Sequence, residues 1–176
     1  MEMDFLLFLQ ELHTPVLDFF FSKITLLCNG GIFWILCCIV LLWTEKYRKY
    51  GVYFLISLIV CYLLGNAFLK NIVARQRPCW VNPDVILLIQ NPKDYSFPSG
   101  HSMHSFVGAL SIRYANKKWG IAAFILAVLI AFSRMYLFVH YPTDVAAGIG
   151  IGLLVTWLVH KFGEEFLQKR NKGAIL

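Results

Sequence analysis

The chain has 176 residues, a length that fits one domain. Its apolar share is 59% and its charged share 15%, against about 45–50% and 25% in soluble domains, and its mean hydropathy is +0.64. The net charge is +6, but the basic residues stand in short clusters between long apolar runs. That pattern is typical of a membrane protein and argues against a nucleic-acid-binding surface.

The first part of the chain, residues 2–23, mixes apolar side chains with several acidic ones. Its apolar residues cluster toward one face, which predicts an amphipathic helix at the membrane interface; it becomes a further span if residues 3–22 insert. Residues 24–43 follow without a charge, and roughly 20 apolar residues suffice to cross the hydrocarbon layer. After a basic connector, residues 51–69 form the second predicted span.

The second half alternates polar segments with apolar ones. Residues 70–98 are polar and contain four prolines, and they precede a short, moderately polar helix predicted over 100–115. Two further spans are predicted over 119–139 and 143–160. We therefore predict one all-α domain over residues 1–176, a polytopic membrane helix bundle of about five spans plus the N-terminal interfacial helix, or six if that helix inserts.

The basic residues also predict the orientation of the bundle. With alternating connectors, ten of the sixteen Lys and Arg residues share one face: Lys46, Arg48, Lys49, Arg113, Lys117, Lys118, Lys161, Lys169, Arg170 and Lys172. The positive-inside rule assigns this face to the cytoplasm. We therefore expect a multi-pass protein of the plasma (inner) membrane, with loop 70–98 and junction 134–144 together on the extracytoplasmic side.

A first polar cluster stands at the outer end of the second span. Lys70 and Arg77 are seven residues apart, so they project from one side if the helix continues. Charges at such positions are often functional, although a basic pair can also reach outward to lipid phosphates. Arg75 lies off that face and is assigned to the lipid-contacting role.

A second cluster precedes the third helix. Pro98 and Ser99 before an apolar run predict a helix start with Ser99 as the N-cap. The free N–H groups of the first turn, with no side chain at Gly100, form an anion site over which His101 would lie. An ordinary helix start carrying a histidine is the alternative. His104, one turn later, is expected on the helix flank in a packing role.

A third cluster precedes the last helix. His140 and Asp144 are four residues apart across a helix start at Pro142, within possible hydrogen-bond reach. A carboxylate on one imidazole nitrogen leaves the other free to attack, and Arg134 adds donors for phosphate oxygens. The alternative is a His–Asp pair that caps the helix and an arginine at the interface.

Taken together, the clusters favour phosphoryl transfer, in which cations neutralise phosphate oxygens, a nucleophile attacks in line and an acid protonates the leaving oxygen. A metal site built from His101, His104, His140 and Asp144 is disfavoured because the neighbouring cations would repel a dication. None of the five cysteines forms a C-x-x-C pair, so no zinc or redox motif is predicted either.

The three segments, residues 70–78, 98–101 and 133–144, resemble the tripartite signature of the type 2 phosphatidic acid phosphatase (PAP2) superfamily. The matching patterns are Lys70-x6-Arg77-Pro78, Pro98-Ser99-Gly100-His101 and Ser133-Arg134-x5-His140-x3-Asp144. The resemblance implies that His140 is a nucleophile forming a phosphohistidine, that Asp144 orients it, and that His101 is the general acid. It also implies a phosphate site that needs no metal and no cofactor, formed by Lys70, Arg77, Ser99, Gly100 and Arg134.

The resemblance further implies hydrolysis of a phosphomonoester or diphosphate of a lipid in the bilayer, with neither a nucleic acid nor an obligatory protein partner. Undecaprenyl diphosphate, converted to undecaprenyl phosphate, is the first expected substrate, because an outward pocket and minimal loops favour a bacterial enzyme acting on the external leaflet. Phosphatidylglycerol phosphate, phosphatidic acid and lipid A phosphates are alternatives, as is phosphate transfer to another lipid. A vanadate-dependent haloperoxidase is disfavoured because those relatives are soluble, and a non-enzymatic scaffold leaves the intact signature unexplained.

Overall fold

The structure, a computed structural model, describes residues 1–173 and, for residues 171–173, only the backbone. Residues 174–176 of the predicted domain and the side chain of Lys172 lie outside the described part. Nine α-helices lie within it: α1 (Glu2–Glu11), α2 (Pro15–Leu26), α3 (Ile32–Trp43), α4 (Arg48–Cys61), α5 (Lys70–Val73), α6 (Pro78–Val81), α7 (Gly100–Ala115), α8 (Lys117–Tyr136) and α9 (Pro142–Gly173). The same residues contain no strand, and the predicted all-α class is confirmed.

Three short elements join these helices. Single 3₁₀ turns, Asn29–Gly31 and Glu45–Tyr47, precede α3 and α4, and a π-helical stretch, Tyr62–Leu69, carries α4 directly into α5. A π-helix winds with i→i+5 hydrogen bonds and often marks a functional site. Here it ends at Leu69, directly before Lys70, the residue that begins the first polar cluster.

Side-chain caps explain where several helices begin. The hydroxyl of Thr14 accepts a hydrogen bond from the backbone N–H of Leu17 at the start of α2. Ser99 is the N-cap of α7, as predicted, and α7 has the predicted bounds. The side chain of Asn116 accepts from the backbone N–H of Lys118 at 2.9 Å, which separates α8 from α7.

The central helix of the bundle is α7, which packs against α3, α4, α8 and α9. Close contact with α9 depends on glycine: a Cβ added at Gly148 would lie 2.6 Å from the carbonyl oxygen of Ser99. The indole N–H of Trp34 in α3 donates to the hydroxyl of Ser105 in α7 at 3.1 Å. These contacts hold the first turns of α7 firmly against its neighbours.

Within the described residues, fewer helices than the five predicted spans are long and apolar enough to cross a membrane. Three helical stretches are long and apolar enough to cross a membrane, and α2 with α3 makes a fourth crossing if this bent pair is one span: Glu45–Val81, Lys117–Tyr136, Pro142–Arg170, and Pro15–Leu26 with Asn29–Trp43. Helix α7, one of the five predicted spans, has only 16 residues. The chain is thus a multi-pass helix bundle, while the count of five spans stays a prediction.

The N-terminal region is divided differently from the predicted interfacial helix over 2–23. A new helix begins at Pro15, and it is inclined by 45° to α3 across a break where Gly30 and Gly31 have φ angles of 60° and 71°. Positive φ is readily adopted by glycine and ends a helix. Residues 15–26 therefore form the first limb of the bent pair, and only α1 is a separate short helix.

Helix α1 is anchored to the end of α8. Its side chains Leu6 and Leu9 are buried, and Gln10 donates a hydrogen bond to the carbonyl oxygen of Tyr136 at 3.0 Å. The ring of His13 stacks on the ring of Tyr136, with 4.2 Å between ring centroids. Because α8 ends at Tyr136, this packing brings α1 next to the junction that carries His140.

Candidate active site

Two of the predicted segments are joined through their backbones. The N–H of Ser99 donates to the carbonyl oxygen of Asp144 at 3.0 Å, which ties the start of α7 to the start of α9. The hydroxyl of Ser99 is fully buried and pairs with the hydroxyl of Ser102 at 2.9 Å. Ser99, expected to bind phosphate, therefore caps the helix, and its side chain does not line the neighbouring cavity.

The predicted His140–Asp144 pair is present, with a third residue beside it. Nδ1 of His140 lies 3.7 Å from Oδ2 of Asp144, which is too long for a good hydrogen bond. The hydroxyl of Ser96 donates to the same carboxylate oxygen at 2.5 Å and lies 3.4 Å from Nδ1. Ser96 was not identified from the sequence, because its position before Ser99 carries no helix or charge signal.

The imidazole of His140 is held neutral with one nitrogen toward the cations. Its Nε2 lies 3.1 Å from Nη1 of Arg77, on the side of the ring opposite Asp144. Burial lowers the pKa of His140 well below 6.5, and the charges of Arg77, Arg134 and Lys70 lower it further. A neutral imidazole keeps the lone pair that a nucleophile needs.

The contacts of Arg75 contradict its predicted role as a lipid-contacting residue. Its Nη1 donates to Oδ1 of Asp144 and to the hydroxyl of Thr143, each at 2.7 Å, and its Nη2 donates to Glu2 at 2.6 Å. The guanidinium also lies over the ring of Tyr141, 3.9 Å from its centroid. Helix α5 ends at Val73, before Arg75, and the chain turns back toward α9, so Arg75 reaches Asp144 and not the lipid.

Lys70 and Arg77 come together, but not along one continuous helix. Helix α5 ends at Val73, and Ala74 adopts a left-handed conformation with φ of 46°. The two cations converge instead on Asp94: Nζ of Lys70 pairs with Oδ2, and Nη2 of Arg77 donates to Oδ1 at 2.8 Å. The predicted convergence thus arises from loop 82–99 folding over the helix end, and the reason given by helical spacing was wrong.

Asp94 is the only carboxylate among the described residues that pairs with these two cations. Burial alone would raise the pKa of Asp94, but the hydrogen bonds and charges of Lys70 and Arg77 outweigh it and lower the pKa to about 2. The side chain is still 57% exposed. No pattern in the sequence identified Asp94, because the loop between Pro83 and Pro98 has no periodicity.

The guanidinium of Arg134 is only partly hydrogen-bonded. It is buried, and its Nη1 donates to the hydroxyl of Thr25 in α2. Its Nε is buried without a hydrogen-bond partner among the described residues. A buried guanidinium N–H without a partner is costly unless a ligand fills its place, so this side chain favours an anion in the adjacent cavity.

That cavity has a volume of about 1310 Å³ and brings together most of the predicted site. It is lined by His104 and by six polar or glycine positions from the three segments: Lys70, Arg77, Gly100, His101, Arg134 and His140. His104, expected to pack on the helix flank, lies in this lining instead. Apolar side chains of α2, α3 and α4, including Leu26, Ile35 and Leu55, line another part of the wall, and loop residues 88–94 line a third.

His101 has a defined orientation at the cavity. Its Nε2 lies 3.1 Å from the amide oxygen of Asn29, at the break between α2 and α3. Because an amide oxygen only accepts, Nε2 carries the proton in this arrangement. Within residues 1–173, no group of three or more His, Cys, Asp or Glu side chains is arranged to hold a metal ion.

Comparison with known proteins decides the family. Residues 50–167, more than half of the chain, match the PAP2 superfamily. The chain belongs to the PAP2 superfamily. An undecaprenyl-diphosphatase of Sulfolobus acidocaldarius is 39% identical over 127 residues, which cover 71% of this chain and 61% of that protein. A lipid A 4′-phosphatase of Porphyromonas gingivalis is 30% identical over 175 residues, covering 91% of this chain and 72% of that protein.

Solved PAP2 structures share the fold. The transmembrane PAP2-type phosphatidylglycerolphosphate phosphatase from Bacillus subtilis has a TM-score of 0.76 and 29% identity, with 93% of this chain and 85% of that chain covered. The chain spans less than two thirds of the length of several curated relatives. The PAP2 family predicted from the three motifs is confirmed.

Proposed function

We propose that this PAP2 protein is a membrane lipid phosphatase in which His140 attacks a terminal phosphate held by Lys70, Arg77 and Arg134. The observation that carries the proposal is the position of His140 Nε2, which lies 3.1 Å from Arg77 at the wall of the cavity lined by all three cations. A phosphate bound by those cations places its phosphorus next to a neutral imidazole nitrogen. Phosphoryl transfer needs little more than this positioning and charge neutralisation.

The chemistry follows from the different surroundings of the two nitrogens of the His140 ring. Nδ1 carries the proton and faces Asp144 and Ser96, while Nε2 forms a bond to phosphorus as the bond from phosphorus to the leaving oxygen breaks. His101, protonated on both ring nitrogens, donates one proton to that oxygen and, then neutral, takes one from the water that cleaves the phosphohistidine. Arg75 and Ser96 hold the Asp144 carboxylate in place.

The remaining phosphate contacts come from the cavity wall. Arg134, whose Nε has no hydrogen-bond partner among the described residues, and Gly100 in the first turn of α7 line the same cavity as His140. Backbone N–H groups at a helix start bind anions, and the missing side chain at Gly100 leaves them accessible. Ser99 contributes by capping that turn. No step requires a metal or another cofactor.

The substrate we propose first is undecaprenyl diphosphate, which would be hydrolysed to undecaprenyl phosphate. The cavity of about 1310 Å³ exceeds the roughly 300–1000 Å³ of ordinary ligand pockets and joins a cationic end to an apolar wall, which suits a headgroup followed by a long chain. The undecaprenyl-diphosphatase of Sulfolobus acidocaldarius supports this choice. Phosphatidylglycerol phosphate, phosphatidic acid and lipid A phosphates are the alternatives.

We further propose that the site faces the extracytoplasmic side of the plasma (inner) membrane. The basic connectors lie at the end of the bundle away from the site. At that end Lys49 pairs with Glu164 at 2.8 Å, and the ring of Tyr114 stacks on His160 with 3.9 Å between centroids. The positive-inside rule favours a cytoplasmic position for that end. A thiol-reactive probe on a cysteine introduced at Asp84, in a background without the five native cysteines, should label from outside intact cells.

The test of function is phosphate release by the purified protein in detergent from four lipids: undecaprenyl diphosphate, phosphatidylglycerol phosphate, phosphatidic acid and lipid A. We expect the highest kcat/KM with undecaprenyl diphosphate and none with the His140→Ala variant. Equal rates for wild type and His140→Ala would refute the proposed mechanism. Phosphate appearing on an added lipid alcohol, with none free in solution, would show a phosphotransferase instead.

A further inference from the structure

The anion that pairs with the two cations of the proposed phosphate site belongs to the protein itself. Oδ1 of Asp94 accepts from Nη2 of Arg77 at 2.8 Å, and Oδ2 pairs with Nζ of Lys70. The side chains of Lys70 and Arg77 are 8% and 3% exposed, while that of Asp94 is 57% exposed. The cations are thus fixed in the wall, and the carboxylate stands over them from the solvent side of the cavity.

Backbone carbonyls hold this loop on Arg77 independently of the carboxylate. The carbonyl oxygen of Asp94 accepts from Nε of Arg77 at 2.7 Å, and the carbonyl oxygen of Tyr95 accepts from its Nη2 at 3.3 Å. The indole N–H of Trp80 donates to the carbonyl oxygen of Pro92 at 3.1 Å. The side chain of Asp94 can therefore rotate away while the loop and the guanidinium of Arg77 stay where they are.

We infer, on the basis of the proposed function, that Asp94 is a specificity-determining residue, an internal anion that dianionic phosphate groups displace and phosphodiesters do not. A terminal phosphate carries about −1.5 to −2 charges at neutral pH, so replacing the single charge of Asp94 improves the neutralisation of Lys70 and Arg77. A phosphodiester carries one charge, like Asp94, and brings no such gain. A membrane enzyme needs this selectivity, because the surrounding bilayer presents phosphodiester headgroups in great excess.

The inference predicts the behaviour of Asp94→Asn, which keeps the shape of the side chain and removes its charge. The assay is hydrolysis of dioctanoyl phosphatidic acid in neutral detergent, with dioctanoyl phosphatidylglycerol as the competing phosphodiester. We expect the inhibition constant for phosphatidylglycerol to fall about fivefold in Asp94→Asn, since a partly exposed ion pair contributes about 1 kcal/mol. The KM for phosphatidic acid should fall by a smaller factor, because its dianionic phosphate already displaces Asp94 in the wild type. Asp84→Asn, which removes an exposed acid of the same loop, should behave like wild type.

Two further measurements keep the inference testable if Asp94→Asn folds poorly or the proposed function fails. In the wild type, inorganic phosphate should protect the protein from thermal unfolding and dioctanoyl phosphatidylglycerol should not; equal protection by both would overturn the inference without any variant. In Asp94→Asn, phosphatidylglycerol should become protective even if no lipid is hydrolysed. An unchanged inhibition constant, or a raised KM with phosphatidic acid, would show that Asp94 positions the cations and does not select the substrate.

Discussion

Replacement of Arg75 tests whether catalysis requires that a positive charge from outside α9 hold the carboxylate of Asp144. Asp144 is fully buried, and among the described residues its Oδ1 accepts a hydrogen bond only from Arg75, at 2.7 Å. A hydrogen bond to a charged group contributes about 1.5–3 kcal/mol; the Arg75 side chain is 28% exposed, so we take the lower part, about 1.5–2 kcal/mol. That free energy corresponds to a fall in kcat of about 10- to 30-fold for Arg75→Ala.

The effect should lie in kcat and not in KM, because Arg75 does not line the cavity. The assay is initial-rate phosphate release over a range of lipid phosphate concentrations in detergent, with thermal unfolding as a check on folding. Arg75→Lys keeps the charge and should recover much of the loss, while Arg113→Ala, an exposed arginine at the far end of α7, is the control. A kcat lowered less than about threefold, or a loss confined to KM, would refute the positioning role.

Further predictions concern the nucleophile, helix packing, metal independence and pH. His140→Ala should abolish turnover, and His101→Ala should lower kcat by about 10²–10⁴, as for other general acids; similar residual rates in both variants would contradict the separate roles. Gly148→Ala places a Cβ 2.6 Å from the carbonyl oxygen of Ser99, the N-cap of α7. We expect it to destabilise the protein by about 1–2 kcal/mol once the gain in helix propensity is subtracted. Gly150→Ala, whose Cβ meets nothing within 4 Å, should be neutral or stabilising in the same thermal unfolding assay. Activity should be retained in EDTA; loss that a divalent cation restores would point to a metal. The pKa of Asp94 is lowered from 3.8 to about 2, so its ion pairs stabilise the fold above about pH 4 and are lost as the pH falls toward 2. The difference in Tm between wild type and Asp94→Asn should therefore be constant above about pH 4 and vanish near pH 2.

The parts of the site that could be predicted from the sequence are those with local signals. Ser99 stands at a helix start that its own neighbours specify, and His140 and Asp144 are separated by one turn. These patterns need no knowledge of distant contacts. The family motifs then indicated that the segments meet.

The parts that could not be predicted depend on how the chain turns between α5 and α7. The left-handed residue Ala74 ends the helix three residues before Arg77, and no local pattern announces it. Arg75, Asp94 and Ser96 reach the site only because of that turn. The bend between α2 and α3 was missed for a related reason, since an uncharged run looks continuous while its glycines break the helix.

The backbone hydrogen bond between Ser99 and Asp144, together with the glycine contact beside it, makes the start of α7 and the start of α9 one rigid block. The nucleophile, its carboxylate and the helix-start anion site belong to that block. Arg77 is joined to this block, because its Nη1 donates to the carbonyl oxygen of Val139 at 2.8 Å and lies 3.1 Å from Nε2 of His140, whereas Lys70 pairs with Asp94 in the covering loop. Headgroup size can therefore be accommodated on the side of Lys70 and the loop, while the catalytic block with Arg77 does not change. Such a division would let one reaction centre serve relatives whose names refer to different lipids.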